Sequence, residues 1–531
     1  MATNNSLAQV YPNQGLGFLV LGASLHDVLV YLKARPQTFP NISISHSSSQ
    51  PIHSPIILDL PSSGVRIRFD GLDQRLRLVE VLDFTKGKLI YKNTDIVRGP
   101  SDPAAPSSTD TAGSGGPTFR HVYHRLFGPT FPGEYVPPDV KEDGAKGTYV
   151  LSYPGIAFSF PLHDASWSPD VDFVSLLSSN AASPALSMAI FNGSSWSDAR
   201  RDLYTRSPPN PRSLSSSGRH KDLAADEVEV VKIRGAGRLE LIRRSSPSFW
   251  ITLSETTPQD LVAELGPPDA IYRKHDQRLA IHRPSAFEEE RSQMPAGIVS
   301  SGLDDLTDTD QSSSHGGTDE SEDETGVLSR HDQGSPGTEC FYNYFHHGFD
   351  VLISHPTTLS PLPPRPPNQK LSNASDPAAS RVTPATTNPT ATKVLLHGNI
   401  PGSYPFNRHR RIRWELGYDS SSSNASTINS DMPFKKSSAL LKEVWKHSYA
   451  SQDEERQLQR GMVLNRGWGD SPSSSCELLG GWEEGLEGKR KGVGGSSVDG
   501  ELGLGNTELF GFPGLVFEVL KNDAVSCLTI F

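Results

Sequence analysis

Residues 64–84 read GVRIRFDGLDQRLRLVEVLDF, two alternating runs on either side of a polar turn. In its first half, VRIRF, apolar residues alternate with Arg66 and Arg68, which is the period of two expected of a strand with one buried face. The run DGLD at 70–73 favours a turn, after which the chain returns through LRLVEV at 76–81. The sequence therefore predicts an antiparallel β-hairpin over these residues.

The start of this hairpin, a glycine followed by alternating apolar residues, recurs three times further along the chain. The later copies begin at Gly155, Gly348 and Gly514. Apolar runs at 394–396 and 525–530 are placed to return as the second strands of the third and fourth hairpins. This recurrence indicates a repeated structural unit.

A short helix pattern lies upstream of each of the first three copies. The clearest follows Thr257, which can cap it, and ends at Gly266 and Pro267. Others begin after Ser24 and near Phe119. We therefore predict an α+β fold made of degenerate repeats, each a short helix followed by an antiparallel β-hairpin, with long disordered insertions.

The chain is expected to alternate repeats with linkers, because apolar, patterned segments alternate with stretches rich in Ser, Pro and Gly. The predicted segments are a helix-hairpin repeat at 15–97, a linker at 98–118, a second helix-strand region at 119–199, a linker at 200–226, a third repeat at 227–416, a linker at 417–433 and a C-terminal degenerate repeat at 434–531. Disordered insertions are expected at 285–338 and 356–391 in the third repeat and at 466–506 in the last.

Composition excludes several classes of protein. The chain of 531 residues has a formal net charge of -11, which argues against a general nucleic-acid binder. Its three cysteines form neither a disulfide framework nor a metal-binding pair by spacing, as expected in a reducing cytosol. The start has no secretory signal, and the apolar stretch at 16–32 is too short and too interrupted to cross a membrane. We expect a cytoplasmic protein with no transmembrane segment.

The sequence has no usable catalytic motif. It contains no nucleophile elbow, P-loop, H-E-x-x-H helix or dinucleotide fingerprint in the right context. We therefore expect no enzymatic activity, no catalytic residues, no cofactor and no metal site. An enzyme of unrecognised type stays open as an alternative, motivated only by scattered His, Asp and Glu residues.

Two groups of arginines are candidate binding residues. The segment NRHRRIRWEL at 407–416 is suited to a phosphorylated lipid head group or an acidic partner, although a strand with a solvated basic face explains it as well. The first hairpin carries a second group, which is expected to line one polar sheet face. The candidates are Arg408, Arg410, Arg411 and Arg413 in the first group and Arg66, Arg68, Arg75 and Arg77 in the second.

Taken in order along the chain, several segments resemble the phagosome assembly factor 1 family. The resemblance is carried by the first hairpin and by FGPTFPG at 127–133, GIAFSF at 155–160, LGPP at 265–268, FYNYF at 341–345 and LHGNIPG at 396–402. The chain looks like a fungal-type member, from which it departs by its long insertions and by the absence of Leu-Gly-Pro near Trp445.

The resemblance implies a non-enzymatic adaptor or scaffold in autophagy. Such a protein would pair with a β-propeller protein, the homologue of breast carcinoma amplified sequence 3, and associate with the phagophore assembly site. Contact with anionic phospholipid would be indirect or through a basic patch. An older association of the family with Golgi-related membrane trafficking is the alternative, and the family offers no catalytic residues to carry over.

Overall fold

The computed structural model describes residues 7–98, 115–138, 146–163, 166–211, 226–273, 339–355, 388–417, 427–446, 451–458, 460–465 and 506–531. The predicted insertion at 285–338 lies outside these residues, as do most of the linker at 98–118 and most of the insertions at 356–391 and 466–506.

Short strands make up most of the regular structure in these ranges. The strands are β1 Val10–Tyr11, β2 Gly15–Leu16, β3 Leu19–Val20, β4 Ser43–Ser45, β5 Ile56–Leu60, β6 Val65–Phe69, β7 Leu76–Val81, β8 Ile90–Tyr91, β9 Thr94–Asp95, β10 Glu134–Val136, β11 Lys146–Tyr153, β12 Ile156–His163, β13 Ser187–Ile190, β14 Val228–Ile233, β15 Arg238–Arg243, β16 Phe249–Thr252, β17 Ala270–Arg273, β18 Cys340–Tyr344, β19 Phe349–Ser354, β20 Thr390–His397, β21 Arg413–Leu416, β22 Ile428–Asn429, β23 Met462–Asn465, β24 Asn506–Phe512, β25 Leu515–Leu520 and β26 Val525–Ile530.

The helices are few and short. They are α1 Leu25–Lys33, α2 Phe119–His121, which continues as a π-helix over Val122–Leu126, α3 Phe173–Ser178, α4 Trp196–Ala199, α5 Pro258–Leu265, α6 Phe434–Val444 and α7 Gln452–Leu458. With antiparallel strands outnumbering helices, the α+β prediction is confirmed.

Each predicted hairpin is the second half of a four-stranded antiparallel meander. The four meanders are β4 to β7, β10 to β13, β17 to β20 and β23 to β26. Their helices are α1, α2 with its π-helix, α5 and α6, in the same order. The repeating unit is therefore a helix and four strands. Its first two strands were missed because they lack the glycine-led apolar pattern.

The four glycines that mark the units occupy one structural position. Gly64, Gly155, Gly348 and Gly514 each end the turn between the second and third strands, with φ of 65°, 78°, 89° and 73°. This left-handed region is costly for any residue with a Cβ atom. Turn geometry thus explains why the same signal precedes the third strand of every unit.

The meanders join in pairs through their fourth strands. Strand β7 pairs antiparallel with β13, where Val79 lies opposite Ile190, and β20 pairs with β26, where Leu396 lies opposite Leu528. Two eight-stranded sheets result, with the orders β10-β11-β12-β13-β7-β6-β5-β4 and β17-β18-β19-β20-β26-β25-β24-β23.

The smaller sheets show that the chain is a duplication of one architecture. Strands β16, β15, β14, β21 and β22 form a five-stranded sheet in that order, in which β14 and β21 are parallel. In the first half, β3, β2 and β1 form a sheet that connects to β8 and β9 through a parallel bridge between Gln9 and Ile90. Both halves therefore have the same strand order around the same kind of parallel contact.

Each half has its own core. Helix α1 buries Leu25, Val28, Leu29 and Leu32 against the first large sheet, and a second core gathers the apolar faces of the C-terminal half.

The helix caps predicted from the sequence are present. Ser24 Oγ accepts from the amide of Asp27 at 3.1 Å, and Thr257 forms a complete capping box with Asp260. Within the described ranges, none of the helices has the length and apolar composition needed to cross a bilayer.

Candidate functional site

The turn of the first hairpin contacts the segment that follows β20, and this contact joins the two halves of the chain. Gln74 Nε2 donates to the Asn399 carbonyl, and Asn399 Nδ2 donates to Gln74 Oε1; both hydrogen bonds are 2.7 Å long. Both residues are buried. We call this contact the junction, defined by residues 70–75 on one side and 398–413 on the other.

Two arginines of the predicted basic segment contact the opposite side of the junction. Arg411 Nε donates to the Leu72 carbonyl at 2.7 Å and its Nη1 donates to the Gly398 carbonyl at 2.8 Å. Arg413 Nη1 lies 3.2 Å from Asp73 Oδ1. Asp431 pairs with both arginines, at 3.2 Å from Arg411 and by a shorter contact with Arg413. These guanidinium groups therefore crosslink the halves.

Glu227 is the charged centre beside the junction. Arg75 binds its carboxylate in a bidentate manner, at 2.7 and 3.2 Å, and Arg410 Nη1 and Arg244 Nη1 lie 3.5 and 3.2 Å from Oε2. Arg410 also donates to the Val228 carbonyl. Burial by itself would raise the pKa of Glu227, but Arg75 and Arg410 outweigh it and lower the pKa. One carboxylate thus pairs with arginines from both predicted groups.

The turn is held in shape by Asp70. Its Oδ1 accepts from the Asp73 amide at 2.6 Å, and its Oδ2 accepts from Arg77 Nε at 2.6 Å. Arg77 also donates to the Arg206 carbonyl at 2.6 Å. Since Asp70 is 1% exposed and Arg77 is 6% exposed, this ion pair is internal.

The remaining candidate arginines lie at the surface. Arg66 pairs with Asp59 at 2.6 Å, and Arg68 pairs with Glu80 at 2.7 Å. Arg408 is exposed. The four hairpin arginines do not share one exposed face, because Arg75 and Arg77 are buried in ion pairs. Whether any of the eight contacts a partner or a lipid stays a prediction.

A second polar cluster lies beside the junction. His397 Nε2 and His409 Nε2 lie 2.9 and 2.8 Å from the two oxygens of Asp350, and the two imidazole rings stack with centroids 3.7 Å apart. Cys527 lies opposite His397 in the pairing of β20 with β26. We call these four residues the His-Asp-Cys cluster.

Burial and charge set the protonation of this cluster. Burial would raise the pKa of Asp350, but hydrogen bonds from both histidines hold it well below its usual range. Burial also opposes a charge on His397, yet Cys527 and Asp350 raise its pKa to about 10. Burial lowers the pKa of His409 to about 4, helped by the charge on His397. Asp350 is therefore an anionic carboxylate between two imidazoles whose pKa values are shifted in opposite directions.

Reasoning from sequence missed the His-Asp-Cys cluster. Its members are separated by up to 177 positions, from Asp350 to Cys527, and no short-range spacing connects them. The sequence offered one indication of the cluster: His397 directly follows the predicted return strand at 394–396, and Cys527 lies in the predicted return strand at 525–530. Only the register of β20 and β26 brings them together.

Exposed apolar side chains lie on the end strands of two sheets and on the helix between them. Strands β16 and β17 are end strands of their sheets in the described part of the chain, and α5 lies between them in sequence. Trp250, Val262, Ile271 and Tyr272 are 44%, 40%, 54% and 62% exposed. Phe249, Trp250, Ala263 and Glu264 line one open groove, which places α5 against β16. We call Trp250, Val262, Ile271 and Tyr272 the apolar edge.

Comparison with known proteins gives a consistent set of relatives. The sequence pattern of the family described as phagosome assembly factor 1 matches residues 15–310 and 385–531. A PHAF1 protein of Drosophila melanogaster is 21% identical over 539 residues, which cover 98% of this chain and 93% of that protein. A PHAF1 protein of Arabidopsis thaliana is 26% identical over 280 residues, covering 52% of this chain and 60% of that protein.

A PHAF1 protein of Caenorhabditis elegans is 29% identical over 157 residues, covering 29% of this chain and 32% of that protein. The chain therefore matches less than two thirds of the length of the Arabidopsis and C. elegans relatives. No solved structure matches.

Proposed function

The chain belongs to the phagosome assembly factor 1 family, and from this premise we propose that it is a non-enzymatic adaptor in autophagy. In this proposal it is cytoplasmic, pairs with a β-propeller protein, the homologue of breast carcinoma amplified sequence 3, and is recruited with it to the phagophore assembly site. The family name supports the broad role, since it describes an assembly factor. The propeller partner rests on the resemblance of the segments quoted from the sequence.

The apolar edge is the observation that carries the partner contact in this proposal. Exposed aromatic side chains at the ends of sheets suit a protein interface, where Trp and Tyr contribute much of the binding energy. The unpaired backbone of an end strand can also accept a strand of the partner. By contrast, Arg75, Arg410 and Arg411 are already paired within the chain, so a partner would have to break those pairs to use them.

Capture of the partner tests the proposal. The tagged full-length protein would be purified from starved cells and the co-purifying proteins identified. We expect a propeller protein with the wild type and at least about tenfold less with the double substitution Trp250→Asp and Tyr272→Asp, since buried aromatic anchors are each worth about 2 kcal/mol. Phe131→Asp is the matched control, because Phe131 is 88% exposed but lies in the N-terminal half.

Two outcomes separate the parts of this proposal. Wild type that captures no propeller protein and forms no puncta on autophagic membranes would refute the adaptor role. Normal capture by the double variant would refute only the assignment of the apolar edge. Puncta that overlap a Golgi marker instead would favour the trafficking alternative.

Direct contact with anionic phospholipid is a second candidate, supported by the exposed Arg408. Arg408→Glu reverses one charge on an exposed side chain, whereas substitution of Arg410 or Arg411 would disrupt buried contacts. We expect weaker binding to vesicles with anionic lipid for Arg408→Glu and unchanged binding for Arg238→Glu, an exposed control on β15. Equal binding by both variants would assign membrane recruitment to the partner.

A further inference from the structure

The His-Asp-Cys cluster brings metal-ligating groups together from four separate parts of the C-terminal half. Asp350 lies in β19, His397 ends β20, His409 lies in the segment before β21 and Cys527 lies in β26. One ligand atom from each of Asp350, His397 and His409 lies within 4.8 Å of the other two. Convergence of such groups at one buried point is the arrangement from which structural metal sites are built.

We propose that this cluster is a structural zinc site, with Asp350, His397 and His409 as three ligands and Cys527 as the fourth. Two imidazoles, a carboxylate and a thiolate are all ordinary zinc ligands, and their mixture of nitrogen, oxygen and sulfur favours zinc over calcium or magnesium. Four protein ligands and burial also match structural sites, which are closed to solvent. The side chains of Asp350, His397 and His409 are 9%, 15% and 3% exposed.

Zinc binding requires small changes in the N···O distances and a tilt of the two imidazole rings, which are stacked with planes 13° apart, so that both Nε2 lone pairs point at one ion. In a tetrahedral site with zinc about 2.0 Å from each nitrogen or oxygen, neighbouring ligand atoms lie about 3.3 Å apart. Here the two Nε2 atoms lie 2.9 and 2.8 Å from the Asp350 oxygens, so each pair must open by about half an ångström. Zinc would replace the protons that now lie between these atoms.

The contacts in the protein leave part of the cluster unused. Cys527 is a free, buried cysteine whose side chain interacts with His397. The hydrogen bonds among Asp350, His397 and His409 leave the position of Cys527 unexplained, whereas a thiolate in the fourth ligand position accounts for it.

The site would hold the junction in place. His397 and His409 flank the segment that contains Asn399, and Arg411, which also binds across the junction, lies two residues after His409. Zinc bound by both histidines would close this segment into a loop and fix Asn399 opposite Gln74.

The metal content of the purified full-length protein tests the inference directly. We expect about one zinc per chain by mass spectrometry of metals after expression in zinc-supplemented medium. His397→Ala and His409→Ala should each lose at least about tenfold of it. His163→Ala, an exposed histidine in β12, should keep it. Less than about 0.1 zinc per chain in the wild type, with no uptake on addition of zinc, would overturn the proposal.

Two measurements keep the test independent of whether the histidine variants fold. First, wild type stripped with a chelator and titrated with zinc should gain about 5 °C or more in melting temperature, and no gain would count against the site.

Second, cobalt should give a thiolate-to-metal absorption band in the wild type and in Cys340→Ser but not in Cys527→Ser. Cys340 is the matched control because it is the other free cysteine in the described ranges. Equal bands in both cysteine variants would remove Cys527 from the site.

Discussion

Replacing Glu227 by Gln should destabilise the protein through the junction. The substitution keeps the shape of the side chain and one acceptor oxygen but removes the negative charge that faces Arg75, Arg410 and Arg244. Arg75 and Arg410 have side chains only 5% and 4% exposed, so their charges would stay inside the protein without compensation. Breaking a buried ion pair at one partner costs about 3–5 kcal/mol.

The expected magnitude lies at or below the lower end of that range. Glu227 is 21% exposed, so water screens part of the interaction, and the amide oxygen of Gln keeps a neutral hydrogen bond. We expect the free energy of unfolding to fall by about 2–3 kcal/mol, which corresponds to a decrease of about 5 °C in melting temperature for a chain of this size.

Glu229→Gln is the matched control for this experiment. Its carboxylate accepts from Arg244 at 2.7 Å but is 44% exposed, and exposed pairs contribute less than about 1 kcal/mol. Urea and thermal unfolding of both variants would be compared with the wild type. If the two variants unfold at the same midpoint, within about 1 °C, Glu227 does not carry the charge balance of the junction and the reasoning fails.

Three further predictions concern backbone strain, capping and acid stability. Gly348→Ala should lower the free energy of unfolding in urea by about 3 kcal/mol or more, because a Cβ there would lie 2.3 Å from the Arg410 carbonyl oxygen. Gly514→Ala is the control and should lower it by about 1 kcal/mol, because the nearest atom to its Cβ would be 3.4 Å away. Thr257→Ala should cost about 1 kcal/mol in the same assay, and Thr257→Ser should restore most of it. Burial lowers the pKa of His347 from 6.5 to about 3. Between these two pH values the unfolded chain binds a proton at His347 that the folded chain does not. Stability should therefore fall as the pH drops from about 6.5 to 3, by up to about 1.4 kcal/mol per unit, and His347→Leu should remove that part of the slope.

Local features of the fold were predictable because their causes lie within a few residues. The glycine before each third strand adopts the left-handed conformation that its turn requires, and Thr257 with Asp260 caps the start of α5. The period of two along β6 gives the buried face of the hairpin. Each of these signals acts over the length of a turn or a strand, and the structure has the corresponding turn, strand or cap at the predicted residues.

The first two strands of each meander were not predictable in the same way. Strand β4 is only three residues long. In strand β11, Thr, Tyr and Ser side chains stand among the apolar ones, so the alternation of apolar and polar residues is weak. Strand formation at these positions depends on pairing with the neighbouring strand, which a single sequence does not state.

Local sequence signals were enough to predict the hairpins, the helix caps, the fourfold repetition and the family. Long-range packing alone brings the two arginine groups together, places Gln74 against Asn399 across 325 positions, and gathers Asp350, His397 and His409, with Cys527 opposite His397. Turn and cap energies depend on neighbouring residues, whereas a buried charge or imidazole takes its role from groups that approach it only when distant segments, of one half or of both, have packed together.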